Sequence, residues 1–80
     1  MANILLYKSA NIADAIKARA KQQNVTIKEM LAALNLGSNT MSNMRHERMI
    51  AADSLAKIAD YLDCSVDYLL GRTSDPESHK

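Results

Sequence analysis

Apolar residues recur at helical spacing through most of the chain, and small or polar residues interrupt them between stretches. Ile12, Ile16 and Ala20 stand four apart and form one stripe with Ala13. That spacing predicts a helix from about Asn11 to Gln23. Ser9 or Asn11 can cap its start, and Asn24 can take the left-handed backbone that ends it. Ile27, Met30, Leu31 and Leu34 then follow the i, i+3, i+4, i+7 pattern. In front of them Thr26 and Glu29 have the spacing of a capping box, and Val25 with Met30 that of a hydrophobic staple. Asn35-Leu36-Gly37 breaks the pattern. Asn tolerates a left-handed backbone, Gly adopts nearly any, and Leu36 between them can plug a core. So short a connection predicts two helices that cross steeply.

A third helix is predicted from Ser38 to about His46, with Met41 and Met44 facing inward, and HERMIA, residues 46–51, reads as a loop. Leu55, Ile58, Ala59 and Leu62 repeat the amphipathic pattern in a fourth helix over about 52–62. Asp53 suits its positive N-terminal end. A fifth, over about 66–70, is capped by Ser65, carries Asp67 in its first turn and is stopped by Gly71. Its Val66, Leu69 and Leu70 close the core. The expected architecture is therefore all-α: a compact five-helix bundle around a central helix-turn-helix. Residues 1–10 form an N-terminal segment or arm, 11–71 the helical domain and 72–80 a polar tail. The apolar patch Ile4-Leu5-Leu6-Tyr7 can pack on the bundle, pair with a twin copy as a strand, or serve as an arm.

Composition narrows the chemistry. Eighty residues make one small domain. Without Trp or Phe, its core must be built from Leu, Ile, Met, Val and Ala. The single Cys64 excludes an internal disulfide, reads as a small buried apolar residue and fits a reducing cytoplasm. No apolar run approaches the ~20 residues needed to span a membrane, and Ile4–Tyr7 is too short for a signal-peptide core. His46 and His79 have no companion at HxxxH or CxxC spacing, so no metal site is readable. Asp60, Asp63 and Asp67 straddle the break at Cys64-Ser65 and read as solvated acidic surface. There is no glycine-rich phosphate loop. These features point away from an enzyme and imply no cofactor.

Charge and side-chain type point to a polyanion. The net charge is only +1. Residues 1–48, however, carry Lys8, Lys17, Arg19, Lys21, Lys28, Arg45 and Arg48 against Asp14, Glu29 and Glu47, whereas residues 49–80 are net acidic. A basic front orients a molecule towards nucleic acid. The third helix also covers its outer surface with Ser, Asn and Thr in place of the usual Lys, Glu and Gln. These residues are mediocre helix formers, but they donate and accept hydrogen bonds. In a helix-turn-helix the second helix enters the DNA major groove with its N-terminal residues on base edges. There Asn pairs with adenine and Ser or Thr with several bases. Ser38, Asn39, Thr40 and Asn43 are the candidate base contacts. Thr26, Lys28, Arg45, His46 and Arg48 are the candidate phosphate contacts, together with the backbone N–H groups that open helices two and three.

The stretch from Ile12 to Gly71 resembles the Cro/phage-repressor type of helix-turn-helix domain, the xenobiotic-response-element regulators. The resemblance is carried by Thr26 with Glu29, by Leu34-Asn35-Leu36, by Met41 and Met44, and above all by SLAKIADYLDCSVDYLLGRT, residues 54–73. That last stretch is similar to small phage and prophage regulators of Gram-positive bacteria. The resemblance implies a repressor-like transcriptional regulator, usually a homodimer on a pseudo-palindromic double-stranded operator. It also implies departures. Ile27 stands where the family commonly has a phosphate-contacting Gln, Leu31 where an Ala lets two helices approach, Asn35 at the turn Gly, and Gly37 where Ser, Thr or Asn opens the reading helix. Glu47 and Ile50 replace the Gly and Pro of the following loop. The competing expectation is a helix-turn-helix module that binds a protein partner, antirepressor- or antitoxin-like, with weak or no DNA binding.

Overall fold

The computed structural model describes residues 7–77. Within them five helices follow one another: α1 (Ser9–Gln22), α2 (Ile27–Ala33), α3 (Thr40–Arg45), α4 (Ala52–Tyr61) and α5 (Val66–Leu70). The described residues contain no strand. The all-helical expectation holds. Of the N-terminal patch, Ile4-Leu5-Leu6 lies outside the described residues. Tyr7 is exposed and its hydroxyl accepts a hydrogen bond from Arg72 Nη1 at 3.3 Å.

The apolar stripes meet where their periodicity directs them. Ile12, Ala13, Ile16 and Ala20 of α1 are buried, as are Met30 and Leu31 of α2, Met41 and Met44 of α3, Leu55, Ile58 and Ala59 of α4, and Leu62 and Leu69 beyond them. The small residues on α1 let α3 and α5 pack closely against it. Leu34 departs from expectation. It caps α2 and is half-buried, packing on the edge of the core. Cys64 is buried.

Helix starts are capped unevenly. At α2 both halves of the capping box are present: Glu29 N–H donates to Thr26 Oγ1 at 3.1 Å, and Thr26 N–H donates to Glu29 Oε1 at 3.1 Å. At α5 the Ser65 hydroxyl accepts from Tyr68 N–H at 3.0 Å. α1 begins at Ser9, two residues before the expected Asn11, with Lys8 at its N-cap and no side-chain cap.

Helix ends are uniform. Asn24, Asn35, Glu47, Asp63 and Gly71 all take positive φ, between 56° and 84°. The amide after each folds back onto the last turn: Val25 to Ala20, Leu36 to Leu31, Arg48 to Asn43, Cys64 to Ala59 and Arg72 to Asp67, all at 2.8–3.0 Å. This is the Schellman arrangement, which satisfies orphan carbonyls and reverses the chain sharply. It also delivers Val25, Leu36 and Cys64 to the core. Glycine supplies the left-handed residue only once; elsewhere Asn, Asp and Glu accept a backbone that L-residues adopt at a cost of roughly 1–2 kcal/mol.

Arg19 locks the back of the bundle. Its Nε donates to the Leu62 carbonyl at 3.0 Å and its Nη2 to the Asp63 carbonyl at 2.8 Å, while the guanidinium lies 5.9 Å from the Tyr68 ring centre. Gln23 Nε2 adds a bond to the same Leu62 carbonyl. Arg19 thus caps the negative C-terminal end of α4 from α1. Residues 72–77 fold back on the helical domain. Ser65 N–H donates to the Pro76 carbonyl at 2.8 Å, and Arg72 pairs with Asp67 at 3.3 Å.

Candidate nucleic-acid interface

The connection between α2 and α3 is longer than the sequence suggests. Ser38 and Asn39 form a turn, not the first helical residues, so the link runs over residues 34–39 and α3 keeps six residues. The physical cause is Thr40. Its hydroxyl donates to the Gly37 carbonyl at 2.6 Å, and its N–H donates to the same oxygen at 3.1 Å. That pair of hydrogen bonds onto one carbonyl closes the turn and turns the Thr40 side chain inward, leaving it 8% exposed.

This sorts the candidate base contacts. Ser38 and Asn39 are exposed, Asn43 is half-buried, and Thr40 is buried with its hydroxyl engaged. With roughly 100° per residue, Thr40, Met41 and Met44 fill the inner side of α3. The outer side is left to Asn39, Ser42, Asn43 and His46. Ser42 is exposed there, and the sequence reading did not select it. The available signal was its position opposite the Met41–Met44 pair. Gly37 has an ordinary φ, so its backbone freedom is unused. What matters is its missing side chain, because a Cβ there would lie 3.0 Å from Asn39 Oδ1.

The candidate phosphate contacts divide as well. Lys28 and Arg48 are exposed, and among the described residues their side chains make no hydrogen bond or ion pair. Arg45 is exposed but forms an ion pair through Nη2 with Asp14 Oδ1 on α1. His46 is exposed, and its Nδ1 lies 2.8 Å from the Ser42 carbonyl. A carbonyl can only accept, so that nitrogen carries the proton and Nε2 faces outward. Thr26 has both its N–H and its hydroxyl turned towards Glu29, and that carboxylate already occupies the positive end of α2. The basic front is therefore smaller than a count of Lys and Arg suggests: Arg19 is a structural clamp and Arg45 is paired.

Behind α3, Glu47 takes the left-handed position with φ 62°, the least favourable residue type of the five at helix ends. Glu47→Gly relieves that backbone, partly offset by the greater freedom of glycine in the unfolded chain. A net stabilisation of about 0.5–1 kcal/mol is expected. In a thermal melt it appears as a rise of roughly 2–8 °C for a domain this size; a fall would show that the Glu47 side chain stabilises the loop.

Among the described residues no group of His, Cys, Asp and Glu could hold a metal ion, and no helix is long and apolar enough to cross a membrane. An open, largely apolar groove is lined by Ile27, Lys28, Leu31, Ala32, Leu36 and Ser38. Compared with known proteins, the chain matches the family model of the Cro/C1-type HTH DNA-binding domain over residues 15–75. That span contains α2 to α5 whole and the second half of α1. No curated protein and no solved structure matches the chain.

Proposed function

Because the chain belongs to the Cro/C1-type helix-turn-helix family of DNA-binding regulators, we propose that it is a sequence-specific transcriptional regulator, repressor-like, that reads the major groove with α3. The observation that carries this reading is the outer side of α3. It presents Ser42 and Asn43, with Ser38 and Asn39 exposed in the turn just before them, where a solvated helix would carry long charged side chains. Asn39 and Asn43 supply the paired donor and acceptor that match adenine, and Ser38 and Ser42 supply adaptable hydroxyls. Thr40 shapes the turn. Lys28 and Arg48 meet phosphates, and Arg45 and His46 flank them.

The protein acts in the cytoplasm as a homodimer on a pseudo-palindromic operator. Two copies would place their α3 helices in successive major grooves, with half-sites ~34–36 Å apart. Selection of bound duplexes from a random pool tests this directly. The expected result is an enriched motif in two inverted halves; a pool without enrichment would sink sequence-specific reading. Salt titration of the selected duplex tests the phosphate contacts. Lys28 and Arg48 of the two protomers neutralise four phosphates, which gives a log–log slope of about −3.6 and a loss of roughly 150-fold between 50 and 200 mM salt.

One observation favours a second reading, a module that binds a protein partner. It is the apolar groove of Ile27, Leu31, Ala32 and Leu36, which is open beside the turn. A flat salt profile with no enriched motif would support that reading over DNA binding.

A further inference from the structure

Ser9 is the first residue of α1, yet it is 4% exposed. Its hydroxyl donates across the bundle to the Met44 carbonyl at 2.7 Å. Met44 is in the last turn of α3, and its carbonyl also accepts the Glu47 N–H at 3.0 Å, so the Ser9 hydroxyl is its second donor. The Glu47 carboxylate lies farther from the same hydroxyl, at 3.4 Å. A hydroxyl has one proton, so the short bond to Met44 holds it and Glu47 is a secondary acceptor. A few residues along α1, Asp14 pairs with Arg45, the residue next to Met44. Two side chains of α1 thus grip two consecutive residues at one end of α3. The other end is set by the Thr40–Gly37 turn.

A helix of six residues has little stiffness of its own orientation, because it is anchored over less than two turns. Its tilt follows from what holds each end. We propose that Ser9 is a positioning residue for DNA reading: its hydroxyl, through the Met44 carbonyl, sets the angle at which α3 presents Asn39, Ser42 and Asn43. The proposal rests on the reading that α3 contacts bases. Ser9 itself stays behind the helix and touches no DNA. Without the bond α3 keeps its Met41 and Met44 packing but rocks about them, so paired contacts to base edges are lost before contacts to phosphates. Base pairs are read through bonds whose geometry is narrow, whereas phosphate attraction is long-ranged and tolerant.

The test compares Ser9→Ala, Ser9→Thr and Asn39→Ala with the unaltered chain. The duplex enriched by selection and a scrambled duplex of the same length serve as the specific and non-specific probes. For Ser9→Ala the ratio of specific to non-specific affinity is expected to fall by about fivefold or more. Non-specific affinity and salt slope should stay unchanged. Ser9→Thr restores the hydroxyl and should recover the ratio. A helix that merely lost stability would bind less protein to both probes alike and leave the ratio in place. If Ser9→Ala melts below the assay temperature, Ser9→Cys, close in shape and a weaker donor, carries the same comparison. An unchanged ratio in the folded Ser9 variant, alongside a reduced one for Asn39→Ala, overturns the positioning role alone. An unchanged ratio for Asn39→Ala overturns the reading of α3 on which it rests.

Discussion

Ile16→Ala is expected to be the most damaging single substitution in α1, costing about 2–5 kcal/mol. Ile16 is fully buried at the centre of the stripe that α3 and α5 pack against. Truncation removes three methyl or methylene groups' worth of buried surface and leaves a cavity between elements that cannot easily close. The two flanking residues, Ile12 and Ala20, are held in the same core. A domain of this size has roughly 4–12 kcal/mol of stability in total, so the variant should melt roughly 10–30 °C lower. The same truncation at Leu34 gives the internal comparison. That side chain is half-buried at the end of α2, and its loss should shift the melt much less. Equal shifts at the two positions would mean that the core is centred nearer α2 than the burial pattern places it.

Asn39→Ala should leave the fold intact and remove base discrimination. Asn39 is exposed, and its side chain makes no capping bond to α3, so truncation breaks no intramolecular contact that holds the turn. Thr40 and Gly37 do that instead. If Asn39 pairs with a base edge, its loss costs roughly 1–3 kcal/mol of discrimination, about 5- to 150-fold in the specific-to-non-specific ratio. Phosphate contacts are untouched, so the salt slope should remain. Quantitative gel shifts on the selected and scrambled duplexes read both quantities. A drop in affinity for both duplexes by the same factor would reassign Asn39 to a phosphate. No change in either would move the reading face away from the start of α3.

The helical framework was legible in the chain because its signals are local. Four-residue apolar spacing put Ile12, Ile16 and Ala20 on one side of α1. Thr26 and Glu29 announced α2 by a capping box whose two bonds are both formed. Ser65 and Gly71 bracketed α5. Asn24 and Asn35 marked left-handed ends because their short amides tolerate that backbone. Asp63 shares that tolerance, and Glu47 does the same work without such a signal. At both, the following amide folds back onto the helix, Arg48 to Asn43 and Cys64 to Ala59.

What periodicity could not supply was the occupation of polar side chains by distant partners. Arg19 looked like a surface cation and is a clamp on two carbonyls more than forty residues away. Ser9 looked like a cap for its own helix and bonds to another. Arg45 looked free and is paired with Asp14. Thr40 looked like a reading residue and closes a turn, while Ser42 takes the outward position. Local sequence determined which residues are helical and which face is apolar, because propensity, capping and hydrophobic period act within a few residues. Only the tertiary structure decided which polar groups remain available to a partner. A hydrogen-bonding side chain has no inherent direction along the sequence; it is committed by whichever backbone carbonyl or charge the packed helices bring within reach.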